Sequence, residues 1–181
     1  MVGRFSYSTM LDVTTLPTKF SVGQEKSHGG GMISQEPIFR IHCEVANILD
    51  LGPAPFGHRR IVNLLGGTVA GAKLNGCILP GGADWQIAAH DGSLDIHARY
   101  TIESDAGALI QVDSKGLRAG PPDVLARLAR GEEVDPSRYY FRTVMRFETA
   151  HQSADWMNRI LALAKGAREK NMVKLDVYEV L

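Results

Sequence analysis

The 181-residue chain has no surplus of charge of either sign: 20 lysines and arginines stand against 20 aspartates and glutamates. A balanced chain projects no long-range field toward a polyanion, so neither nucleic acid nor an anionic membrane is expected as a partner. Long apolar runs are also missing, and none approaches the roughly 18–20 residues that span a bilayer. The N-terminus shows no apolar core or small-residue cleavage site of a signal peptide. A soluble, cytoplasmic protein is the expectation. Cysteine is scarce: Cys43 and Cys77 lie far apart, form no CxxC pair and sit in apolar strand-like runs. Both are therefore read as buried, reduced thiols. None of the six histidines belongs to an HExxH or zinc-spaced cluster. No metal is expected, and the one three-dimensional option would set His42 beside His97 on neighbouring strands. The chain lacks a GxSxG elbow, and GGTVAGAK (Gly66 to Lys73) lacks the Gly-Lys-Ser/Thr ending of a phosphate loop. With no dinucleotide fingerprint either, no cofactor is expected and covalent hydrolase chemistry is excluded.

What the chain does have is glycine at short intervals. From Arg59 to Gln86, runs such as Ile61 to Leu65 are interrupted by Gly66-Gly67, Gly71, Gly76 and Pro80-Gly81-Gly82. Runs this short cannot be helices, which need roughly 10–12 residues, and read as short strands joined by turns or bulges. In Phe39 to Val45, alternation puts Phe39, Ile41, Cys43 and Val45 on one face. Residues 50 to 57 read as a Pro/Gly loop. Asp91-Gly92 marks a hairpin, and the return strand carries Ile96, Ala98, Tyr100 and Ile102 on one side. Ala108 to Val112 follows. One helix is predicted from Pro121-Pro122-Asp123, with Gly131 at its C-terminal cap. Tyr139 to Glu148 is a long aromatic strand, and the final strands are expected at Trp156 to Ala164 and Met172 to Val180, joined by a Lys-Gly-Ala-Arg turn.

Residues 1–35, rich in Ser, Thr, Gly and Lys, have the composition of a flexible N-terminal arm. Residues 36–181 are long enough for one domain. Eight to nine closely spaced strands with one short helix predict an all-β fold, closing as an antiparallel barrel with room for side chains or one small ligand.

The motifs Gly66-Gly67-Thr68, Gly81-Gly82-Ala83-Asp84-Trp85, Ala98-Arg99-Tyr100, Tyr139-Tyr140-Phe141-Arg142-Thr143 and Phe147-Glu148-Thr149 occur in this order. This pattern, from about Ile38 to Val180, resembles the domain-of-unknown-function 3237 family, also grouped as uncharacterised protein family 0311. The resemblance implies a lipocalin-like antiparallel barrel. It also implies kinship with fungal proteins that act as isomerases or cyclases on phenolic, polyketide-type substrates, and it assigns no catalytic residue here.

Charged and aromatic strand residues make the candidate site. Tyr140, Arg142 and Glu148 are separated by even intervals, so an unbulged strand points all three to one face. Glu148 and Asp84 are the candidate proton carriers, and Arg142 is the candidate for stabilising an enolate or phenolate. Trp85, Arg99, Tyr100, Tyr140 and His42 are the candidate ligand contacts, although alternation sends Arg99 and Tyr100 to opposite faces. Asp84 beside Trp85 is either a carboxyl raised in pKa by an apolar wall or a cap on the Gly-Gly turn. The expected function is cofactor-independent proton transfer on an aromatic or carboxylate-bearing small molecule, by an isomerase or cyclase. The alternatives are a small-molecule carrier and a structural barrel plugged by its own side chains. A homo-oligomer is compatible with each.

Overall fold

The structure is a computed structural model and describes residues 31–181. Most of the arm expected over 1–35 therefore lies outside the described residues. Its last residues join the sheet: Ile33 bridges Val180, and the Ser34 amide donates to the Glu179 carbonyl at 2.9 Å.

Ten strands follow one another with antiparallel pairings throughout. They are β1 (Phe39–Val45), β2 (Leu49–Ala54), β3 (Gly57–Ala70), β4 (Gly76–Ile78), β5 (Ala83–Ala88), β6 (Leu94–Ser104), β7 (Leu109–Ala119), β8 (Tyr140–Glu148), β9 (Ala162–Arg168) and β10 (Met172–Glu179). Two of the barrel's eight staves are shared between two short strands. On one side of β3, β1 pairs with its second half and β2 with its first. On the other side, β4 and β5 share the space between β3 and β6 in the same way. The β1–β3 pairing closes the circuit that runs through β10, β9, β8, β7 and β6.

The expected all-β antiparallel barrel is therefore the observed fold, with several local corrections. The 14-residue β3 continues through Gly66-Gly67 without a turn, but its register with β1 slips there, between Glu44–Gly66 and Val45–Leu64, so of the expected turns or bulges this one is a bulge. These glycines permit close strand approach instead of turning the chain: a Cβ on Gly67 would overlap the backbone carbonyl of His42 on β1. The expected loop over 50 to 57 is mostly strand β2. Gln152–Arg159 is a 3-10 segment, so the strand expected from Trp156 begins only at Ala162, and the Lys-Gly-Ala-Arg stretch is the body of β9. This 3-10 segment is held to the barrel by packing and by side-chain hydrogen bonds: it buries Ala154 and Met157 in the main core, and Asn158 bonds both the amide and the carbonyl of Thr149. Cys43 is buried as expected, but Cys77 is exposed, because β4 turns it to the outer face.

The helix α1 (Pro122–Ala129) forms where predicted, with proline in its first turn and Asp123 beside its positive end. Gly131, at φ +75°, ends it: its amide donates to the Leu128 carbonyl, and the Glu132 amide reaches the Arg127 carbonyl. Val124, Leu125 and Leu128 are buried, and Leu125 lies against the β5–β6 turn at Gly92. No helix among the described residues is long and apolar enough to cross a membrane.

The two ends of the barrel differ. Where Ile102 faces Ile110 across β6 and β7, the interior is solid: Phe39, Ile102, Ile110, Val112, Met145 and Val177 are fully buried. Along the same pairing, Leu94 faces Arg118 at the opposite end, where polar side chains turn inward. Half of the barrel is plugged and half is open.

Candidate functional site

The open half holds a cavity of about 270 Å3. Its wall combines Ile41, Val62, Leu64, Ile78 and Ile96 with polar groups from several strands: Arg60 on β3, Asp84 and Gln86 on β5, Tyr100 on β6, Ser114 and Arg118 on β7, Thr143 on β8 and Arg168 on β9. Its mouth lies between Ala46 to Ile48, the end of α1 and Lys170-Asn171.

Strand alternation determines which side chains enter. On β5, Asp84 and Gln86 point inward and Trp85 outward, and on β7, Ile110, Val112, Ser114 and Arg118 share the inner face. The polar groups form a chain. Arg60 Nη2 donates to Gln86 Oε1 at 2.9 Å, and Gln86 Nε2 donates to Asp84 Oδ2 at 2.6 Å. The other carboxylate oxygen of Asp84, Oδ1, accepts the backbone N–H of His97 at 3.2 Å.

Burial dominates the electrostatics. Loss of water raises the pKa of the Asp84 carboxyl, against hydrogen bonds from Gln86 and His97 and the pull of Arg118 and Arg60. The same desolvation, reinforced by like charge on Arg60 and Arg168, lowers Arg118 to about 10. Arg60 and Arg168 are lowered mainly by burial. Tyr100 is raised by burial, and Cys43 rises to about 12 for the same reason, helped by Glu44. Cys43 is therefore a protonated, unreactive wall residue at neutral pH.

Four buried polar atoms among the described residues have no hydrogen-bond partner: Arg60 Nε, Tyr100 Oη, Arg118 Nε and Thr143 Oγ1. All four belong to residues that line this cavity. Buried polar groups are rarely left unpaired, since each such group costs about 1–3 kcal/mol. That all four belong to residues lining one space makes it the candidate site for a bound molecule.

Of the residues singled out in the sequence, Asp84 and Tyr100 line this cavity. Tyr140, Arg142 and Glu148 do share one face of β8, but it is the outer one, because Phe141, Thr143, Met145 and Phe147 fill the inner. Arg142 lies over the Tyr140 ring at 5.2 Å. Trp85 is 43% exposed on the outer wall. Arg99 is also outside, where its Nε donates to Asp113 at 3.0 Å and His97 lies 3.1 Å from the same carboxylate. Against loss of water, which raises it, the hydrogen bond from His97 and the charges of His97, Lys115 and Arg99 lower the Asp113 pKa. His42 is on the outer face of β1, on a strand that does not adjoin His97 on β6. Arg60, Ser114, Arg118 and Arg168 went unnoticed in the sequence, and Gln86 and Thr143, although they stand beside or within the quoted motifs, were given no role. For Arg118 the signal was present: it continues the parity of Ile110 and Val112 beyond the point where the strand was expected to stop.

The chain matches the family model described as protein of unknown function DUF3237 over residues 33–180. It belongs to this family. A UPF0311 protein of Rhodopseudomonas palustris is 40% identical over 144 residues, which is 80% of this chain and 94% of that protein. A crystal structure described as a beta-barrel like protein from Acinetobacter baumannii aligns with a TM-score of 0.71 at 38% identity, covering 84% of this chain and 98% of that one. A crystal structure described as an enzyme from Penicillium herquei aligns at a TM-score of 0.61 and 18% identity, over 84% of this chain and 97% of that one, a likeness of fold alone. The DUF3237 chain thus has full-length relatives with the same barrel.

Proposed function

We propose that this DUF3237 protein binds a small anionic molecule in the open half of its barrel and catalyses cofactor-independent proton transfer on it, as an isomerase or cyclase. The observation that carries the reading is the convergence of the four unpartnered polar atoms with Asp84 on one cavity. Arg60, Arg118 and Arg168 attract the anion, and the apolar wall holds its body. Asp84 is the general base: its carboxylate takes a proton from a carbon next to a carbonyl, and the C–H electron pair moves to the carbonyl oxygen. Arg118 and the hydroxyl groups of Tyr100 and Thr143 stabilise the resulting enolate or phenolate oxygen as preorganised donors. The protonated Asp84 then returns the proton to another atom of the same substrate. A raised pKa brings a carboxyl closer to neutral pH, where it can both accept and release a proton. The enzyme description of the Penicillium herquei protein supports this reading only as far as the shared fold.

A carrier is the second reading, favoured by the engagement of both Asp84 oxygens in hydrogen bonds from Gln86 and His97. A thermal-shift screen against aromatic acids, keto acids and phenolics identifies a ligand, which is then incubated in D2O and followed by NMR. Proton-transfer catalysis predicts deuterium entering the ligand with the native protein and not with Asp84→Asn. Tight binding without exchange makes the protein a carrier.

A further inference from the structure

Charge inside the cavity is unequal. Arg60, Arg118 and Arg168 place three positive charges in its wall, and Asp84 is the one acidic side chain that lines it. Among the described residues, none of the three guanidiniums is in a salt bridge. Arg118 is 8% exposed, and its Nε has no partner. Arg60 is held by the neutral amide of Gln86, and Arg168 by the Met172 carbonyl at 3.2 Å, neither of which neutralises a charge. At the mouth, Lys170 adds a further positive group, while Arg130 is tied to Glu132 at 2.7 Å.

Buried charge without a counter-charge is costly, and the attraction that offsets it must come from whatever fills the cavity. One negative charge on the ligand would leave one guanidinium uncompensated even with Asp84 ionised. Two would balance the wall. Ile41, Val62, Leu64, Ile78 and Ile96 provide no polar partner and require an apolar body between or beside the charged groups.

We infer that the ligand of this cavity is a dianion on a compact apolar body, bearing two carboxylates or one phosphate monoester. The inference rests on the reading that the cavity is the ligand site, and it adds the charge of the ligand. Arg118 is the residue that selects the second charge. It is the most buried of the three, and among the described residues it is the one whose guanidinium makes no hydrogen bond. Arg60 and Arg168 receive the first.

The test uses matched pairs of probes at low ionic strength: benzoate with phthalate, phenylacetate with homophthalate, and methyl phenyl phosphate with phenyl phosphate. Binding to the full chain is measured by calorimetry and by thermal shift. The expected result is that the dianion of at least one pair binds about tenfold or more tightly than its partner, the scale of one charge-assisted hydrogen bond. Arg118→Met should remove that preference, weakening the dianion by a larger factor than the monoanion. The arm that responds separates a dicarboxylate from a phosphate ligand. Equal binding within every pair overturns the dianion and leaves the cavity as a monoanion site. No binding by any probe to a protein folded by circular dichroism counts against both the dianion and the cavity as an anion site. Outer-wall Arg146→Gln serves as the control: a preference lost there and kept in Arg118→Met also overturns the assignment.

Discussion

Gln86 holds Asp84 through a hydrogen bond that can run in only one direction. Its amide nitrogen donates to Asp84 Oδ2 at 2.6 Å while its carbonyl accepts from Arg60 Nη2 at 2.9 Å. Flipping the amide would set its carbonyl against a carboxylate and its NH2 against a guanidinium, so charge on both sides locks the orientation. Gln86 thereby aims the carboxylate without contributing charge of its own, which makes it a positioning residue for Asp84.

Gln86→Glu should disturb this arrangement more than Gln86→Met. The glutamate sets two carboxylates together, and like charge raises the pKa of the pair further. The exchange rate of a bound ligand in D2O, followed against pH, should shift to higher pH in Gln86→Glu. Gln86→Met loses only the hydrogen bond that favours the carboxylate, so its rate should fall with a smaller shift in the same direction.

Asp84→Asn should reduce proton exchange by about 100-fold or more, the usual contribution of a positioned acid or base. Affinity for an anionic ligand should hold or rise, because the substitution removes the one acidic side chain of the wall. A fall in affinity with exchange preserved would remove Asp84 from the chemistry.

The pH dependence of stability carries a sign that can be checked. The Asp84 pKa is raised in the folded state, so the folded protein holds this proton at pH values where the unfolded chain has released it. Its contribution is most favourable at and below the ordinary aspartate value, about 3.9. It is lost as pH rises through the folded pKa. Denaturant unfolding of the native chain and Asp84→Asn as a function of pH should differ in this direction, with the native chain losing ground as pH rises through that window.

Arg118→Met should stabilise the ligand-free protein. The substitution removes a desolvated charge repelled by Arg60 and Arg168 and keeps most of the side-chain length. Each kcal/mol gained raises Tm by about 2–4 °C in a chain of this size. A drop in Tm would mean that Arg118 already has its compensation within the fold.

The outer wall should be separable from the site. Glu148→Gln, Arg142→Ala and Trp85→Ala lie on the face away from the cavity and should alter ligand affinity by less than about twofold, the usual range for surface substitutions. Gly82→Ala should not be tolerated in the same way. Its new Cβ would stand 2.5 Å from Tyr100 Cβ and 2.7 Å from the Arg99 carbonyl, pushing a cavity wall residue aside. Overpacking of this kind costs about 1–3 kcal/mol, readable in chemical denaturation.

Local rules were enough for much of the fold. The period-two pattern of Phe39 to Val45 grouped the residues that the barrel turns inward on β1, and Ile96, Ala98, Tyr100 and Ile102 were grouped in the same way on β6. The Asp-Gly turn and the proline and glycine bounding α1 are chemical signals that act within a few residues. The strand at Trp156 failed because a 3-10 segment has no strong local signature and is held by the burial of Met157.

The site was less legible, for a reason visible in β8. Even spacing correctly put Tyr140, Arg142 and Glu148 on one face, but spacing alone does not say which face is inside. The apolar Phe141, Met145 and Phe147 on the opposite face hold that information. The sequence by itself determined most of the strand periodicity, the Asp-Gly turn, the helix ends and the all-β class, because these depend on neighbours within a few residues. Only the tertiary structure decided that Arg60, Asp84, Arg118 and Arg168 meet. They come from β3, β5, β7 and β9, and their proximity depends on the register of pairings distant in sequence and on barrel closure through β1 and β3. Where charge is buried, and thus where the chemistry can occur, is a property of that closure.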